Sequence, residues 1–109
     1  MTDATSLPAP VAAAIDAAND HDLARFLACF TPAGVVDDWG REFRGPGAIT
    51  GWSDSEFIGA RVILDVTGAT TTGDRTTVEA QVGGDGFNGP SHFTFTLDGD
   101  RIRRMEIRA

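Results

Sequence analysis

The hydrophobic period of this chain changes at Thr31-Pro32, and that change limits the fold more than any other feature of the sequence. Before it, Leu23, Phe26, Leu27 and Phe30 fall at i, i+3, i+4 and i+7, the spacing of one buried helical face. An earlier helix is predicted from Val11 to Asn19, with Val11, Ala14, Ile15 and Ala18 in phase and Pro10 acceptable in its first turn. Asn19-Asp20-His21-Asp22 ends that helix and supplies caps for the next. After Pro32 the period is two. Strands are predicted from the segment after Gly34, then at about 61–68, 76–82, 91–97 and 101–107, each with one apolar face. Thr72-Gly73-Asp74 and Asp98-Gly99-Asp100 join the last four of them in two pairs as hairpin turns, the second with the Asp-Gly pair that favours type I′ geometry. Gly45-Pro46-Gly47 reads as a turn before a short helix containing Ala48, Ile49 and Trp52. Helices followed by a meander of strands define an α+β domain, a curved antiparallel sheet packed against helices.

At 109 residues the chain has material for one core. Residues 1–8 read as an N-terminal tail and 9–109 as the single domain. The net charge of −7 argues against a nucleic-acid partner, because phosphate contact needs a basic surface. All nine cationic side chains are arginines, so lysine Schiff-base chemistry is excluded. Four of them, Arg101, Arg103, Arg104 and Arg108, crowd the last strand as a solvated or dimer-facing side. Cys29 is the only cysteine, which rules out an internal disulfide and fits a small buried hydrophobe. No segment has the length of a membrane span, and a cytoplasmic location is expected. His21, in the inter-helix turn, and His92, out of phase with Phe93 and Phe95, make no ligand set with the cysteine, so no metal is expected. The stretch 83–90 is glycine-rich but leads into no helix; it reads as a long flexible hairpin loop at the mouth of a pocket. Near Arg103 and Arg104 strict alternation breaks, which predicts a bulge.

Four segments in this order, Ala18-Asn-Asp-His-Asp-Leu23, Phe30-Thr-Pro-Ala-Gly-Val-Val-Asp-Asp38, Gly45-Pro-Gly-Ala-Ile49 and Leu97-Asp-Gly-Asp-Arg-Ile102, resemble the nuclear transport factor 2-like superfamily. The likeness is to its small SnoaL-like and ketosteroid-isomerase-like members, and it covers nearly the whole chain. It implies a cystatin-like cone whose concave sheet face encloses an apolar pocket for a small, mostly apolar molecule. It also implies homodimers paired through the outer face of the sheet, and acid/base chemistry of the isomerase, cyclase or dehydratase kind without a cofactor.

The resemblance places Asp37 at the position of the general base, and alternation puts it on one face with Val35 and Trp39. Burial in an apolar pocket would raise its pKa and make it a proton acceptor near neutrality. The other reading of Asp37 is a structural acid paired with Arg41 or Arg44, with Asp38 on the alternate face, solvated or paired with arginine. Ketosteroid isomerases complete the site with a tyrosine and a protonated aspartic acid that donate to the oxyanion. Here the corresponding positions fall at Ala14 and about Ser91, so those donors are absent. Trp52, Phe57, Phe93, Phe95, Met105 and Ile107 are the apolar residues expected around the cavity. A non-catalytic binding or dimerisation domain with a vestigial pocket is the alternative function.

Overall fold

The computed structural model describes residues 7–109, so of the expected tail only Leu7 and Pro8 lie within the described residues. Helix α1 (Ala9–Asn19) starts behind Pro8, with Pro10 in its first turn, and buries Val11, Ala14, Ile15, Ala17 and Ala18. Helix α2 (Leu23–Ala28) is capped by Asp22, whose carboxylate accepts from the Arg25 amide. Phe26 of α2 is buried at the centre of an aromatic group with Phe30 and Phe57, ring centroids 5.2 and 5.4 Å away. The chain then runs through β1 (Phe30–Asp38), β2 (Arg41–Arg44) and α3 (Gly45–Glu56). Strands β3 (Ile63–Thr72), β4 (Arg75–Gly83), β5 (Gly89–Asp98) and β6 (Arg101–Arg108) complete it.

One curved six-stranded sheet has the order β2-β1-β6-β5-β4-β3. The four strands β3 to β6 form the expected antiparallel meander, but β1 pairs with β6 in parallel, so the sheet is mixed. No short turn ties β1 to β6, and either direction was therefore open to it. The concave face carries Val36, Val78, Phe93, Phe95, Ile102 and Met105, which with α1 and α3 form a single core.

Several local details differ from the sequence expectation. Gly45-Pro46-Gly47 is the first turn of α3 rather than a turn before it, with Gly45 at φ +84°. Strand β2 was not expected because Arg41-Glu42-Phe43-Arg44 has one apolar residue and no buried face. In the last hairpin the central residues are Gly99 and Asp100, and only Gly99 has positive φ, which is a type II′ and not a type I′ pattern. The bulge lies at Arg103: Thr96 pairs with Arg104 and Leu97 with Ile102, so Arg103 has no opposite residue. A second one lies at Thr67 in β3. The glycine-rich connection is pinned rather than flexible. The Asp85 amide donates to Ala60 O at 2.8 Å, Arg61 Nε donates to Asp85 at 2.8 Å, and Asn88 Nδ2 donates to the carbonyls of Gly84 and Gly86.

The Asn19–Asp22 run after α1 acts on the edge of the sheet. Asn19 donates to Leu64 O (3.0 Å) and accepts from Leu64 N (2.7 Å), while His21 Nε2 meets Val62 O at 2.9 Å. A side-chain amide thus takes the place of a neighbouring strand along the edge of β3. Among the described residues, no helix is long and apolar enough to cross a membrane.

Candidate functional site

A cavity of about 300 Å³ opens between the C-terminal half of α3, the segment 57–62 that follows it, and the concave face of β4, β5 and β6. Its wall is apolar: Trp52, Phe57, Val62, Val82, Phe93 and Ile107. Trp52 stacks on Phe57 at 4.8 Å and on Phe43 at 6.2 Å, which fixes the indole plane. Trp39 and Phe87, both more than half exposed, form the rim together with Gly86.

Polar groups enter this wall at one side. Asp38, the last residue of β1, accepts from Trp52 Nε1 at 3.0 Å and from Arg41 Nη2 at 2.6 Å, both through Oδ2. Arg41 also holds Glu56 through two parallel bonds of 3.0 and 2.7 Å. Those bonds keep the Glu56 carboxyl below the usual carboxylate range and the guanidinium firmly protonated. Asp38 Oδ1 makes no hydrogen bond among the described residues, and neither does the hydroxyl of Ser91, two strands away on β5. No buried polar side-chain atom is left unpaired among the described residues, so both atoms keep some access to solvent, and both residues line the cavity. They are the groups available to a guest.

Asp37 does not face this cavity. Val36 and Asp38 share the concave face, opposite Met105 and Ile107 of β6, whereas Val35 and Asp37 lie opposite Arg104 and Glu106 on the outer face. The Asp37 carboxylate is buried there in a clamp. Arg108 donates to both oxygens at 3.0 and 3.2 Å, Arg104 Nη2 to Oδ2 at 2.6 Å, and Gly40 N to Oδ1 at 2.7 Å. Hydrogen bonding from Arg108, aided by the Gly40 amide and opposed by burial, holds its carboxyl below the usual range, the reverse of what a pocket base requires. Of its two expected partners, Arg41 belongs instead to Asp38, and Arg44 donates to Ala33 O.

The other expected lining residues divide. Trp39, Trp52, Phe57, Ser91, Phe93 and Ile107 line the cavity. Ala14 is buried in α1, Phe95 and Met105 pack in the core away from the cavity, and Val35 sits on the outer face between Arg44 and Arg104. Asp38, Arg41 and Glu56 were not expected at the site, whereas Phe87 came with the loop 83–90 read as the mouth of a pocket. The signal for Asp38 was present but ambiguous, since Val35-Val36-Asp37-Asp38 offers the same valine-aspartate pair in either phase. Among the described residues, no group of three or more His, Cys, Asp or Glu side chains could hold a metal ion.

The sequence matches the family model described as SnoaL-like domain over residues 11–105, and the chain belongs to that family. A candidate polyketide cyclase of Sinorhizobium meliloti is 28% identical, with a TM-score of 0.85 over 98% of this chain and all of that one. A Catenulispora acidiphila protein with a ketosteroid isomerase-like fold, in complex with trimethylamine, is 24% identical, with a TM-score of 0.80 over 95% of this chain and 87% of that one. A Mycobacterium tuberculosis protein in complex with estradiol-17β-hemisuccinate shares the fold at 14% identity, with a TM-score of 0.78 over 93% and 91% of the two chains. No curated protein matches the sequence.

Proposed function

We propose that this protein binds a small, mostly apolar molecule in the cavity beneath α3 and orients it through a hydrogen bond to Asp38. The observation that carries the reading is an aromatic and aliphatic cavity of about 300 Å³ with two unpaired polar atoms, Asp38 Oδ1 and Ser91 Oγ. Small-molecule sites combine these two properties, an apolar wall and a few placed polar groups. Two proteins of the same fold hold small molecules, trimethylamine in one and an estradiol derivative in the other.

The geometry supports binding more strongly than catalysis. Stabilising an oxyanion needs free donors aimed at one point. Here the Trp52 N–H is committed to Asp38, and three of the five Arg41 N–H groups are held by Asp38 and Glu56, which also offset its charge. For its protein partner the reading keeps a second copy of the chain, paired across the outer face of the sheet.

The test uses 1-naphthalenemethanol as probe, titrated while the tryptophan fluorescence is followed. Saturable binding to the parent protein is expected, together with loss of at least about tenfold in affinity in Ser91→Leu, whose added carbons occupy the cavity. Binding that survives Ser91→Leu unchanged would place the probe elsewhere and overturn the reading.

A further inference from the structure

The charges around the cavity define the class of its guest more closely. Three charged side chains line it, Asp38, Glu56 and Arg41. Two carboxylates against one guanidinium leave the site one negative charge in excess. Hydrogen bonding shows where that excess is available. Both Glu56 oxygens are taken by Arg41, and so is Asp38 Oδ2, which Trp52 shares. Asp38 Oδ1 alone remains, next to the indole of Trp52 and behind the rim formed by Trp39 and Phe87.

We infer that the guest is a protonated amine with an apolar body, its ammonium group on Asp38 Oδ1 among the aromatic faces and its body against Phe57, Phe93 and Ile107. This rests on the reading of the cavity as a ligand site. A carboxylate guest would meet the charges of Asp38 and Glu56, with Arg41 already paired to both. A neutral alcohol can donate to Oδ1 but gains nothing from the excess charge. A cation gains twice, from the carboxylate and from the negative faces of the rings. Ser91, 3% exposed and unpaired among the described residues, offers its hydroxyl to a second polar atom on the guest. The net charge of −7 steers cations toward the molecule as a whole.

Three probes with one apolar body separate these cases: 1-naphthylmethylamine, 1-naphthalenemethanol and 1-naphthoate. At neutral pH the amine is expected to bind about tenfold or more tightly than the alcohol, and the carboxylate more weakly than both. Asp38→Asn should cost the amine more affinity than the alcohol and bring the two to about the same value. Glu56→Gln, which leaves Asp38 in place, should also reduce the amine's advantage. An alcohol that matches or exceeds the amine on the parent protein overturns the inference and leaves the binding site standing. If none of the three binds, the site itself fails as well. An amine that binds the Ser91→Leu protein as well as the parent is attracted by surface charge alone, and that too overturns the inference.

Discussion

The Asp37 carboxylate accepts four hydrogen bonds, one from the Gly40 amide and three from Arg104 and Arg108. Each is stronger when the group is charged, so folding favours the ionised form. A carboxyl depressed in the folded state contributes stability that is fully present above its unfolded value, about 3.9, and lost as the pH falls through the folded value. Asp37→Asn is therefore expected to lower the unfolding free energy at neutral pH by about 2 kcal/mol, measured by urea denaturation. The gap between the two proteins should close as the solution is acidified below about pH 3.9. A gap that is constant with pH would mean that the clamp does not depend on charge. The family resemblance put Asp37 in the pocket, and the alternation could not correct it because the Val-Val-Asp-Asp run has no intrinsic phase. Trp39 agrees with that phase only by position, for at φ +56° it is already in the turn beyond β1, where strand alternation no longer holds. What sets the phase is Val36 opposite Met105 and Asp38 opposite Ile107, contacts nearly seventy residues apart in the chain.

The hairpin joining β1 to β2 turns on Trp39 and Gly40, both at positive φ, the type I′ pattern. Glycine holds such a position without strain, whereas a tryptophan there costs on the order of 1 kcal/mol. The same residue forms one lip of the cavity. Trp39→Asn, which creates the favoured Asn-Gly pair, is expected to raise stability by about 0.5–1 kcal/mol and to weaken binding of 1-naphthylmethylamine several-fold. Thermal unfolding and fluorescence titration of one preparation measure both. A further prediction concerns the other edge of the sheet. Asn19→Ala removes both bonds to Leu64 and is expected to cost about 2 kcal/mol. Amide exchange should quicken first along the start of β3. Elements with regular apolar spacing, α1, α2 and β3 to β6, were readable from the sequence for that reason. Strand β2 was not, because its residues are held by pairing with β1 rather than by a buried face of their own.

Across the whole molecule the outer face of the sheet is a lattice of charges. Glu79, His92, Arg108, Glu106, Arg104 and Glu42 stand on neighbouring strands, with ion pairs such as Arg104 to Glu42 at 3.0 Å. Two copies that pair there must match charge to charge, so their association is expected to weaken as salt is added. Sedimentation equilibrium at low and high ionic strength measures this, and a monomer mass at every concentration would remove the proposed pairing. The composition announced the acidity of the chain but not this arrangement, which depends on the order of the strands. That order has another consequence. The parallel partner of β1 is β6, the strand of this sheet farthest along the chain, and β6 also completes the hydrogen bonding of β5. During translation the apolar side of β1 must wait, without its neighbour, until almost the entire domain has left the ribosome. Removal of Arg101–Arg108 would open the sheet between β1 and β5 and strand both halves, so this segment does not tolerate deletion.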